Sequence, residues 1–84
     1  MSACPSLIYE NISPERWTAI RAAVAKEIGI TITTDAGSDT YDGFTIVWVL
    51  VSGDLTLTCT DSPWYVSCAM INGEIDGMIR PLLT

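Results

Sequence analysis

Apolar positions along the chain fall into helical stripes and alternating runs. Trp17, Ile20, Val24 and Ile28 step by three and four residues, the spacing at which side chains share one helix face. The entry signals agree. Ser13 stands as N-cap, Pro14 takes the first helical position, and Glu15 lies in the first turn, where the helix dipole favours an acid. Ile12 and Trp17 are spaced as a hydrophobic staple, and Gly29 falls where the helix should end. Ile30 to Thr34 alternates isoleucine with threonine, the period of a half-buried strand. Asp35 to Gly43 is rich in turn-forming residues and reads as a loop.

Two further strands follow. Phe44 to Val51 carries Phe44, Ile46, Trp48 and Leu50 on one side and Thr45, Val47, Val49 and Val51 on the other. A strand apolar on both sides is usually covered on both. Leu55 to Thr60 sets Leu55, Leu57 and Cys59 against Thr56, Thr58 and Thr60. A two-residue turn at Ser52-Gly53 pairs Leu50 with Leu55, Trp48 with Leu57 and Ile46 with Cys59. It also pairs Val49 with Thr56, Val47 with Thr58 and Thr45 with Thr60. A slip of one residue would mix the two faces.

The last third supports two readings. Trp64, Cys68, Ile71, Ile75, Met78 and Leu82 form the stripe of an amphipathic helix opening at Ser62-Pro63 and ending before Pro81. Gly73 and Gly77 weaken a helix, and Asn72-Gly73 and Asp76-Gly77 are hairpin dipeptides, which favour a strand–turn arrangement. With the helix, the expected fold is α+β: helix, three-stranded antiparallel sheet, helix (αβββα), both helices on one face. It fills a single domain over residues 13–84, after a lead-in over 1–12 in which Leu7–Tyr9 is a candidate short edge strand. Trp48 is expected in the core. Cys59 and Cys68, on inward stripes, are expected as buried, reduced, neighbouring thiols.

Composition adds a surplus. Of 84 residues, 49% are hydrophobic and 17% charged, more apolar side chain than so small a core easily hides. Part of the surface is therefore expected to meet a partner. The net charge is −6, and the only bases are Arg16, Arg21, Lys26 and Arg80. Binding to nucleic acid or to an anionic membrane is disfavoured, since both need clustered cations. Double-stranded-RNA-binding domains share the element order, but their basic second helix has no counterpart after Ser62, where Glu74 and Asp76 accompany Arg80 alone. No apolar run approaches the ~20 residues of a membrane span. The segment Met1 to Tyr9 lacks the basic and long apolar regions of a signal peptide, so a cytoplasmic location is expected. Cys4, Cys59 and Cys68, odd in number and without CxxC spacing, read as neither a disulfide framework nor a zinc site.

Candidate chemistry is sparse. There is no histidine, so a serine or cysteine nucleophile would lack its usual activator. Asp35 and Asp39 with Thr40 do not match a calcium loop, which wants a third oxygen ligand and a glycine at the sharp turn. No enzyme, cofactor or metal is expected. Two surfaces remain. One is a Val/Thr sheet face with Val47, Val49, Val51, Thr56 and Thr58 at its centre, extended by Thr31, Thr33 and Thr60. The other is an acidic pole of Asp35, Asp39, Asp42 and Asp61, placed by this topology at the end of the sheet where both helices begin. The expected function is a non-enzymatic interaction module, self-associating as a homodimer or docking on another protein through the sheet face. The alternative is a small acidic inhibitor of phage or mobile-element type, imitating nucleic acid to occupy a basic channel.

Overall fold

Ser13 and Ser67 open the two α-helices found among the described residues, each by accepting a hydrogen bond at 3.2 Å from the backbone N–H three residues on. The computed structural model describes residues 3–83; residues 1, 2 and 84, the outer ends of the expected lead-in and domain, lie outside the described residues. Element order is β1 (Leu7–Tyr9), α1 (Pro14–Glu27), β2 (Ala36–Tyr41), β3 (Phe44–Val51), β4 (Asp54–Asp61) and α2 (Cys68–Ile79), closed by a 3-10 turn over Arg80–Leu83. The architecture is α+β, with two helices and an antiparallel sheet. That sheet has four strands in the order β1-β4-β3-β2, where the sequence pattern suggested three. Among the described residues, no helix is long and apolar enough to cross a membrane.

The extra strand comes from the lead-in. Leu7, Ile8 and Tyr9 pair with Leu57, Thr56 and Leu55, which makes β1 an edge strand. The lead-in is further tied down by Cys4 N–H donating to Cys59 O at 2.8 Å and Ile12 N–H donating to Gly53 O at 2.9 Å. Cys4 and Cys68 form a disulfide with a Cα–Cα distance of 5.3 Å. This corrects the expectation of two reduced neighbouring thiols: Cys68 is cross-linked, and Cys59 alone is free and buried. Spacing could not reveal the bond, because its partners stand 64 residues apart and meet only when β1 docks beside α2.

The strand expected at Ile30–Thr34 is displaced. Ile30 and Ile32 are buried and Thr31 and Thr33 exposed, so the alternation is real, but the segment joins no ladder. At its end Thr34 O accepts from Trp48 Nε1 at 2.9 Å, and Asp35 O, the next carbonyl, accepts from Leu50 N–H at 2.7 Å. The strand lies instead at Ala36–Tyr41, within the stretch that reads as a loop. All six of its residues are exposed, so no burial pattern marks it. What makes it a strand is pairing with β3 across a turn at Asp42-Gly43, with φ of 54° and 86°. Positive φ at both turn residues is the type I′ geometry that Asp-Gly favours.

Ser52-Gly53 forms the same turn, with φ of 52° and 84°. The β3–β4 register follows the expected pairs from Leu50–Leu55 to Ile46–Cys59. It departs at Thr45, which faces Asp61 rather than Thr60, because β4 bulges by one residue there. The inward side of the sheet presents Tyr9, Ile46, Trp48, Leu55, Leu57 and Cys59, all buried. Onto it pack Trp17, Ile20 and Val24 of α1 and Ile71, Ile75 and Ile79 of α2, so both helices cover one face.

The C-terminal third is one helix, but it begins at Cys68 rather than at Ser62-Pro63. Trp-Tyr-Val-Ser is poor helix-forming sequence, and a turn closed by Val66 N–H to Pro63 O at 3.1 Å takes its place. Trp64 therefore leaves the expected stripe and stands 92% exposed.

Candidate functional site

The outward side of the sheet is built by strand alternation. Ile8, Thr56, Val49 and Ala36 lie across all four strands in one row, and Thr58, Val47 and Ser38 form the next. Val51 opposite Asp54 closes one end, and Thr40, Thr45 and Asp61 the other. Ile8 is 66% exposed, Val51 60% and Val49 38%, while Val47, Thr56 and Thr58 are half-buried by their neighbours. No buried residue belongs to this side, and among the described residues nothing packs over it. Two hydroxyl pairs knit it laterally, Ser6–Thr58 at 2.7 Å and Thr40–Thr45 at 2.8 Å. Val47, Val49, Val51, Thr56 and Thr58 are thus brought together as the alternation requires. Thr31 and Thr33 are not, since their segment is outside the sheet. Ile8 is the member the sequence reading missed, and the Leu7-Ile8-Tyr9 alternation was its signal.

The acidic residues separate. Asp39 in β2, Asp42 in the turn and Asp61 at the end of β4 share one end of the sheet. Asp35 lies at the other, preceding the Ala36–Val49 pair and accepting from Trp17 Nε1 at 3.2 Å. The displacement of the strand from residues 30–34 to 36–41 moves it there. Asp61 Oδ1 is enclosed without a hydrogen-bond partner, and Cys59 Sγ donates to Asp61 O at 3.1 Å. Burial pushes the Cys59 thiol above its usual range, which leaves it little thiolate with which to react. Among the described residues, no three metal-ligating side chains converge.

No protein-family model, curated protein or solved structure matches this chain.

One titrating network fastens β1 to α2. Asp76 accepts from Arg80 Nε at 2.8 Å and from Tyr9 OH at 2.9 Å. Arg80 and then Tyr9 hold the Asp76 carboxyl below the usual carboxylate range. Burial, with the Asp76 acceptor beside it, pushes the Tyr9 hydroxyl far up. A carboxyl that titrates lower when folded stabilises above its unfolded value near 4, and loses that contribution as the pH falls through its folded value. A hydroxyl that titrates higher when folded stabilises below its unfolded value near 10, and loses that contribution as the pH rises. Tyr9→Phe should therefore flatten the alkaline decline in Tm above about pH 10. A mutant curve parallel to wild type would show that Tyr9 does not supply it.

Proposed function

We propose that this chain is a non-enzymatic protein–protein interaction module that pairs with a second copy of itself through the open Val/Thr face. The observation that carries this is the exposure of Ile8, Val49 and Val51, with Thr56 between Ile8 and Val49, on a face that no described element covers. Charge supports the choice of face. Each copy carries −6, so two copies repel, and the rows between Asp54 and Asp61 hold no charged side chain. Two such faces can meet at the least electrostatic cost, related by a two-fold axis with each patch meeting itself. The face spans about 14 Å between its outer strand axes and about 20 Å along β3, less than a standard stable interface buries. That size suits a reversible dimer.

The acidic inhibitor has less support, because Asp35 is at the opposite end from Asp39, Asp42 and Asp61. Salt separates the two readings: a charge mimic releases its target as ionic strength rises, whereas an apolar face contact barely responds. The Cys4–Cys68 disulfide favours an oxidising compartment over the cytoplasmic location expected from the sequence.

Sedimentation of wild type and Val49→Lys tests the dimer. Wild type should self-associate at roughly 100 µM, in the range of reversible interfaces, and the mutant should be monomeric with an unchanged Tm. A wild type that stays monomeric at ten times that concentration, or a mutant that still dimerises, would refute the pairing.

A further inference from the structure

The helices do not close over the sheet completely. Between them, on the side opposite the open face, runs a groove of about 1180 Å³. Phe44 and Ile46 line its sheet side, Ala23 and Ile28 its α1 side, and Met70 and Met78 its α2 side. Lys26, Glu27, Asp42 and Glu74 also border it, three acids against one base. It is too open to enclose a small molecule, since ligand pockets bury most of a ligand's surface.

The α2 wall is unusual. Gly73 and Gly77 both line the groove, and a Cβ added at either would meet nothing within 4 Å. Each glycine costs about 1 kcal/mol relative to alanine inside a helix, and no contact among the described residues requires it. Their effect is to bare the α2 backbone toward the groove one turn apart. The exposed Trp64 and Tyr65, followed by Val66 at the groove, extend apolar surface beyond its end. Aromatic and methionine side chains are the residues enriched in protein interfaces.

We infer that this groove is a docking site for an amphipathic helix of a partner protein, with an apolar face turned inward and lysine or arginine along its flanks. The occupant follows from the apolar lining and the acidic border, which complement those two faces. A smooth glycine wall lets a second helix axis approach closely. From Met70 to Leu82 the groove offers about 18 Å, or roughly three helical turns. The site lies across the sheet from the Val/Thr face, so it does not depend on the self-association proposed above, and a dimer would leave both grooves open.

The probe is an amphipathic peptide of about 18 residues, leucine on one face and lysine on the other, with a counterpart carrying glutamate for lysine. Binding is read by fluorescence anisotropy on the disulfide-intact protein. The lysine peptide should bind wild type with a Kd of roughly tens of micromolar, and the glutamate peptide at least ten times more weakly. Gly77→Leu and Gly73→Leu, each adding a side chain whose Cβ meets nothing within 4 Å, should each weaken binding about tenfold while Tm holds or rises. Val49→Lys should bind much as wild type does. No binding of the lysine peptide, equal binding of the glutamate peptide, or unimpaired binding by both folded glycine variants would overturn the assignment. Loss of binding in Val49→Lys alone would move the peptide to the sheet face and overturn it equally.

Discussion

Trp48→Ala should cost roughly 3–5 kcal/mol, the range for emptying a large aromatic site in a close-packed core. Trp48 is 3% exposed in the middle of β3, opposite Leu57 on one neighbouring strand and Gly37 on the other. The fit is close: a Cβ at Gly37 would stand 3.1 Å from Trp48 Cζ2. The indole Nε1–H also anchors the crossing segment through Thr34 O. Thr34 is exposed, so water can replace that donor, and the loss is mainly packing. A domain of this size holds roughly 4–13 kcal/mol in all, so the loss takes between about a quarter and all of that stability. Urea denaturation followed by circular dichroism measures it. A midpoint close to wild type would mean that the indole does not fill the core. Val49→Lys, one residue along the same strand, is the control, because its side chain leaves from the opposite face.

Breaking the Cys4–Cys68 bond should have a comparable effect. Joining residues 64 apart restricts the unfolded chain by about 4 kcal/mol in the loop-closure account. The bond also holds the segment leading into β1 against α2, where Asn72 Nδ2–H donates to Pro5 O at 3.1 Å. Cys68→Ser, or reduction of the native protein, should lower Tm by roughly 15–30 °C. Cys59 should resist thiol reagents until the core opens, as it is fully buried. Calorimetry with and without reductant decides the matter. A Tm that moves by no more than a degree or two would show that the cross-link contributes nothing to stability.

What could be read along the chain was local or periodic. Ser13, Pro14 and Gly29 act within a turn of their own positions, so the bounds of α1 were legible. The β3–β4 hairpin was legible because Ser52-Gly53 closes it over two residues and alternation then dictates each pair as far as Ile46–Cys59. The same alternation assembled Val47, Val49, Val51, Thr56 and Thr58 on one face. The features that escaped were those whose partners are distant or whose pattern has two outcomes. Ile30 and Ile32 alternate because they are buried, yet burial alternation does not say whether the backbone joins a ladder. Ala36–Tyr41 joins one while burying nothing, and Asp42-Gly43 was its sole mark. Asp35 left the acidic pole for the same reason. Ser62-Pro63 and Ser67 offer rival helix starts, and α2 opens at the later one.

Only the folded chain decided the rest. Cys4 meets Cys68 because β1 takes the free edge of β4, a contact between residues that no local pattern relates. The groove arises from the spacing of α1 and α2 over the sheet, which no stripe on either helix encodes. A sequence pattern records which side of an element seeks cover, since hydrophobicity belongs to each residue. It does not record what supplies the cover or where cover runs short, because those depend on how whole elements pack.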